Sequence, residues 1–208
     1  MKIAKSVATL ATAAILCLAA DAGGAALAAQ EAGRYVVAPA GNEARYLVRE
    51  QLARINFPSD AVGTTTGVEG AITVDGAGRI GAGSGFTIDL ASLASDSDRR
   101  DNYVRRNTLQ TDEHPSAVFV PTAFSGLAFP LQAGEAAFRI TGDLTIRGVT
   151  RPVTWDVTAR TAGDGITGTA RTSFTFEDFS LDKPRVASVL SVADEIRLEY
   201  EFSLVRER

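Results

Sequence analysis

The side chains best equipped for chemistry cluster between Ser95 and Pro115, in SDSDRRDNYVRRNTLQTDEHP, which holds the single histidine of the chain. A histidine that acts as a base needs a nucleophile or carboxylate beside it, and one that binds a metal needs further ligands at suitable spacing. No HxH, HExxH or GxSxG pattern accompanies His114, so it reads as a turn residue ahead of a strand. Asp96, Asp98, Asp101, Asp112 and Glu113 are candidate calcium ligands by type, yet a calcium loop sets its oxygens at alternating positions about a turn glycine, and this run contains none. Paired carboxylates that cleave glycosidic bonds can be remote in sequence, and nothing here marks such a pair. Arg99, Arg100, Arg105 and Arg106 could meet a phosphate or an anionic surface; with aspartates between them they read first as the solvated face of a helix. These residues assign no catalytic role and no metal ligand.

The same segment has helix formers, Ser or Asp in the N-cap position and Asn107 as a stop, which predicts one helix. Asp101 and Arg105 stand at i and i+4 in the favourable order, and Tyr103, Val104 and Leu109 can face inward. Everything around it reads as strands, near 34–37, 44–50, 63–75, 83–90, 117–124, 136–147, 149–162, 166–177 and 195–206, rich in Val, Ile, Thr and Phe. Turn signals at Gly41-Asn42, Asp75-Gly76, Gly148 and Asp164-Gly165 can supply the positive φ of tight hairpins. The class is all-β: an antiparallel barrel or sandwich of eight or nine strands with one helix inserted.

The strands carry their bulk on one side. In GDLTIRGVTRPVTWDV, residues 142–157, apolar and polar residues alternate on both sides of a bend at Arg147 and Gly148. Phe138, Ile140, Leu144 and Ile146 share one face before the bend, and Val153, Trp155 and Val157 share one after it. Val68, Ile72 and Val74, then Phe86, Ile88 and Leu90, repeat the pattern upstream. Phe174 and Phe176, then Ile196, Leu198, Tyr200, Phe202 and Leu204, repeat it downstream. A period of two tells which residues share a face, and strand number does not decide whether that face is packed solid or surrounds a ligand. Two stretches read as unusually apolar loops: Leu52 to Val62 with Ile55 and Phe57, and Asp178 to Val192 with Phe179, Leu181, Val186, Val189 and Leu190. They would cover either a core edge or a barrel mouth.

Lys2 and Lys5, an apolar run from about Val7 to Ala20 and the small residues Ala26-Leu27-Ala28 follow the order of a secretory signal peptide. The sequence thus divides into a signal over residues 1–28 and a single domain over 29–208, and predicts a periplasmic or secreted protein. The only cysteine, Cys17, falls in the signal, and Leu16 before it does not suit a lipid-attachment motif, so the domain has neither disulfide nor thiolate metal site. With 21 basic against 25 acidic residues, the chain lacks the basic surface that nucleic acid requires.

Three stretches in order, RRDNYVRRNTLQTDEHPSAVF, GDLTIRGVTRPVTWDV and the alternating ADEIRLEYEFSL, resemble the YceI-like family of periplasmic, lipocalin-like polyisoprenoid-binding proteins. The resemblance runs from about Arg34 to the end. It implies an extended eight-stranded antiparallel barrel with a helix, an elongated apolar channel and a bound isoprenoid or similar lipid in place of any cofactor. On that reading the channel contacts are Ile72, Phe86, Ile88, Phe138, Ile140, Leu144, Ile146, Val153, Trp155, Val157, Phe174, Phe176, Leu198, Tyr200 and Phe202, and Arg100 with Asp101 fixes the helix to the barrel. The sequence departs from the family pattern at Asn102-Tyr103, at TSFTFEDFSL and in the apolar segments around Phe57 and Phe129. The expected function is non-catalytic carriage or sequestration of a polyprenyl, quinone or carotenoid lipid. An enzyme acting on such a lipid and an interaction module with a packed barrel are the other readings. Transient contact with a membrane surface and a homodimer are both compatible with the residues.

Overall fold

The structure, a computed structural model, describes residues 33–53, 56–129 and 131–208. The export signal expected over residues 1–28, and Ile55, lie outside the described residues. Ten strands follow in chain order: β1 (Gly33–Val37), β2 (Glu43–Leu52), β3 (Ser59–Thr65), β4 (Val68–Val74), β5 (Gly85–Asp89), β6 (Ser116–Ser125), β7 (Gly134–Ile146), β8 (Val149–Ala162), β9 (Gly165–Thr175) and β10 (Val189–Arg206). β1 and β4 to β10 pair in a closed antiparallel ring of eight, completed by β1 against β10. The remaining hairpin, β2–β3, uses the same edge of β10 as β1 does: β2 pairs along Val189–Glu201, and β1 takes over at Leu204. Beyond β3 the ladder stops, apart from a single bridge between Thr64 and Ala94.

The two alternating runs around Arg147 and Gly148 form the hairpin β7–β8, in register from Gly134 opposite Thr161 to Ile146 opposite Val149. Its two-residue turn has φ of 47° at Arg147 and 73° at Gly148, the double positive φ that matches strand twist. That conformation is strained for a residue with a Cβ. Arg147 is held in it by its guanidinium, which donates to the Thr108 carbonyl at 3.1 Å and the Ser180 carbonyl at 2.6 Å. Two prolines sit where a missing N–H costs no ladder bond. Pro121 lies at the register shift of β6 against β7, and Pro152 lies in the part of β8 that pairs with β7 alone.

The run expected as one strand over 63–75 breaks at Thr66 and Gly67 into β3 and β4. The apolar loop expected over Leu52–Val62 shrinks, because Ser59–Val62 pairs with β2. Likewise β10 begins at Val189, since β2 supplies it with a partner, and a register shift between Val192 and Ile196 absorbs the irregular sequence there. Two turn glycines are displaced: positive φ is found at Gly78 and Gly163, where Gly76 and Gly165 were expected.

The helix α1 (Asp98–Tyr103) starts at Ser97, whose side chain accepts from the Arg100 N–H, and widens into a π-helical stretch over Val104–Leu109. It ends at Gln110 with φ 54°, past the expected Asn107. The expected Asp101–Arg105 pair does not form, because the wider turn after Tyr103 carries Arg105 away to donate to the Leu93 carbonyl at 2.7 Å.

Candidate functional site

The inward faces of the strands do not meet. They leave a cavity of about 1270 Å³, larger than the roughly 300–1,000 Å³ usual for small-ligand sites. Ile72, Phe86 and Ile88 line one side of it, with Phe138, Ile140, Leu144 and Ile146 from β7. Trp155 and Val157 of β8 and Phe174 of β9 line it next, with Phe176 just beyond β9, and Leu198, Tyr200 and Phe202 of β10 complete the circuit. Val153 does not reach it: it packs against the core opposite Gly142, where the Phe119 ring takes the space a side chain would fill, 2.7 Å from where a Cβ would stand. Phe119 also meets Trp155 edge-on at 5.9 Å between ring centres. The Trp155 Nε1 has no hydrogen-bond partner among the described residues and is occluded in the wall.

β2 contributes a wall that residue reasoning passed over. Ala44, Tyr46, Val48, Glu50 and Leu52 all line the cavity, and their period of two was present in the sequence but broken by Leu47 on the outer face and Glu50 on the inner one. A buried Glu50 in that register requires a partner. Arg100 is that partner, at 2.9 Å from Glu50 Oε1, and it also bonds Asp96. Arg100 and Asp101 were expected to act as a pair; instead Asp101 is buried and accepts from the Ser95 N–H at 3.0 Å and from its hydroxyl at 2.5 Å. Both residues anchor the helix without pairing with each other; they meet only through the Ser95 hydroxyl, which accepts from Arg100 at 3.3 Å and donates to Asp101. Burial works against the charge on Arg100, but the hydrogen bond to Asp96 and the Glu50 carboxylate more than restore it and hold its pKa above the ordinary value.

Tyr46 faces this cluster. Burial, reinforced by the nearby Asp101, Glu50 and Asp96 carboxylates and opposed by Arg100, pushes its phenol up to about 12. Its ring lies over Gly63, where a Cβ would stand 2.3 Å from it. Burial also raises the Tyr200 phenol, which donates to Asn42 Oδ1 at 2.8 Å. His114 stands at the β7–β8 turn, its ring next to Gly148, and is not part of the lining. Among the described residues no group of three or more His, Cys, Asp or Glu is placed to hold a metal.

The two ends of the cavity differ. At the far end Phe124 meets Phe129 and Phe138, each at 5.8 Å, in an aromatic cluster. At the helix end the residue expected to lie in a loop, Phe179, is fully buried at 0 % exposure against Phe174, 4.5 Å away. Beside it, the lining residues that reach solvent are Ala53, Asp96, Arg99, Ala187 and Ser188. They are contiguous: the Ala53 N–H donates to the Ser188 carbonyl at 3.0 Å, and the tip of β2 is tied to α1 through Glu50 and Arg100. The mouth therefore opens between α1, the tip of β2 and the segment 184–189.

An apolar barrel with its helix at one mouth and the three motifs in register narrows the field of known folds, and the sequence profile of the YceI-like domain matches residues 35–204. The chain belongs to the YceI-like family. Curated members with which it aligns include the UPF0312 protein of Pseudomonas putida strain W619, 31 % identical over 61 % of this chain and 66 % of the relative. The UPF0312 protein of Ectopseudomonas mendocina is 31 % identical over half of each chain. The YceI-like chain thus spans between half and two thirds of those relatives. Among solved structures, a polyisoprenoid binding domain from Saccharophagus degradans, implicated in plant cell wall breakdown, superposes with TM-score 0.65 at 13 % identity, covering 83 % of this chain and 98 % of that one. BcnA of Burkholderia cenocepacia superposes with TM-score 0.58 at 21 % identity, over 78 % and 95 %. At such identities the likeness establishes the YceI-like barrel, closed and eight-stranded, and nothing finer.

Proposed function

We propose that this protein carries or sequesters an amphiphilic isoprenoid lipid, of polyprenyl, quinone or carotenoid type, inside the barrel and without chemistry on it. The observation that carries the reading is the apolar cavity, about 1270 Å³ and open at the helix end. It is supported by the family, and by the Saccharophagus degradans neighbour being a polyisoprenoid binding domain. At about 0.8 kcal/mol per buried CH₂, each isoprene unit contributes roughly 3 to 4 kcal/mol gross. A few units then exceed the cost of association and chain ordering, on the order of 4–15 kcal/mol. The two carboxylates that line the mouth are already occupied, since Glu50 and Asp96 hold Arg100, and Asp101 behind them holds Ser95. A group engaged in that way anchors structure and is a poor base or nucleophile. Residues 1–28 act as the leader that delivers the barrel to the periplasm or beyond, where an isoprenoid needs shelter from water.

The test is an organic extract of protein purified from its native host, analysed by mass spectrometry. Near-stoichiometric isoprenoid lipid is the expected result. Turnover of that lipid on incubation would replace the carrier by an enzyme, and an empty extract would leave an interaction module that carries no lipid.

A further inference from the structure

Of the large apolar side chains among the described residues, Phe57 and Leu190 are left most open to water, at 78 % and 68 % exposure. Both belong to stretches of chain that lead away from the cavity mouth. Phe57 belongs to the β2–β3 connection, which departs from the lining residues Leu52 and Ala53. Leu190 follows the lining residue Val189, which is itself paired with Leu52. Apolar side chains presented to water beside the opening of an apolar cavity are an interaction surface.

The charges around them identify what it meets. Arg99 lines the mouth and Arg185 stands between the lining residues Pro184 and Val186; both are exposed and neither has an ion-pair partner among the described residues. Three neighbouring carboxylates already hold a cation, Asp96 with Arg100, Asp182 with Arg147 and Asp194 with Lys183, so none of them is spent on Arg99 or Arg185. The chain as a whole is acidic, with net charge −4, so this cationic rim is local. Strongly exposed apolar side chains near unpaired guanidinium groups match the chemistry of an anionic bilayer, with acyl chains beneath phosphates.

Building on the carrier reading, we infer that the helix-end mouth docks on an anionic lipid bilayer, with Phe57 and Leu190 entering the acyl boundary and Arg99 and Arg185 meeting lipid phosphates. A lipid then passes between bilayer and cavity without crossing water.

The chain from Ala29 retains every described strand, since the ring and its core lie within residues 33–206. Its co-sedimentation is compared on mixed phosphatidylcholine and phosphatidylglycerol vesicles and on phosphatidylcholine alone. The expected result is binding that Phe57→Asp with Leu190→Asp weakens at least about tenfold, and a preference for the anionic vesicles that Arg99→Gln with Arg185→Gln removes. Quenching of Trp155, the only tryptophan, by an added polyprenyl quinone in dilute detergent reads cavity occupancy separately, and the two aspartates should leave it unchanged. Wild-type protein that ignores both vesicles, or an aspartate variant that binds them as well as wild type, overturns docking. So does a wild-type dimer, by sedimentation velocity, that the aspartates dissociate without changing vesicle binding. Vesicle binding that needs Phe57 and Leu190 in a protein whose Trp155 no quinone quenches supports docking and removes the carrier reading alone.

Discussion

Glu50 is the residue on which the polar end of the cavity turns. It is buried, and Arg100 is its partner, so removing the carboxylate leaves a guanidinium that burial already disfavours with only Ser95 and the exposed Asp96 to hold it. Breaking a buried pair from one side costs about 3 to 5 kcal/mol where both groups are fully buried, and Arg100 keeps some access to water, so Glu50→Ala should cost about 2 to 3 kcal/mol in chemical denaturation. Replacing His114 by Gln should leave both stability and lipid retention unchanged, because the ring is outside the lining. Leu144, 2 % exposed on the cavity wall, is the contrast: Leu144→Asp buries a carboxylate with no partner, at a cost of several kcal/mol, and should abolish retention in whatever fraction still folds by circular dichroism. The tyrosines set an alkaline limit. Tyr46 ionises at about 12 in the fold against 10.0 unperturbed, and Tyr200 is raised as well, so above pH 10 the unfolded chain releases protons that the fold retains. Stability should be full below that pH and fall as it climbs toward 12. Denaturation at both ends of the window should register a smaller loss for Tyr46→Phe, and an equal loss would reject the assignment.

At the scale of elements, Arg147 joins three pieces of chain: the β7–β8 turn, the end of the helical segment at Thr108 and the crossing to β10 at Ser180. Charge-assisted hydrogen bonds contribute about 1.5 to 3 kcal/mol. Relief of a strained φ offsets part of that, so Arg147→Gly should lose about 2 kcal/mol, a fall of about 6 °C in Tm. Restoring strain without the staple, Arg147→Ala should lose more. The turn itself was legible, because Gly148 and the alternation on both sides locate it to the residue. Its role as a staple was not: Thr108 and Ser180 are neighbours only once the barrel closes. The same distinction runs through the fold. β7 and β8 needed only local pattern, whereas the start of β10 at Val189 and the pairing of Ser59–Val62 depend on β2, a partner remote from β10 in sequence. The cavity walls followed from periodicity, Val153 excepted, since no pattern in β8 reveals that Phe119 of β6 fills the space at Gly142. Phe179 looked like a lid residue and is a plug. Phe179→Ala should cost about 3 to 5 kcal/mol, measured by urea denaturation, as large-to-small changes at buried aromatics do.

For the whole molecule, the wall is a continuous hydrogen-bonded ladder everywhere except beyond β3, where one bridge at Thr64 and Ala94 is followed by the helical segment. That segment belongs to no ladder and is fastened by side chains alone: Arg100 to Glu50, Asp101 to Ser95, Arg105 to the Leu93 carbonyl, Arg147 to the Thr108 carbonyl, and Leu109 in the core. Lifting it would break none of the eight-stranded ring. The consequence is temporal. Egress of a bound molecule can proceed on the microsecond-to-millisecond scale of a helix detaching, far ahead of global unfolding. Amide exchange should therefore be quickest over residues 98–109 and slowest in β7 and β8, and the dissociation rate should climb when Glu50 no longer holds Arg100 even in conditions where the ring's own amides stay protected.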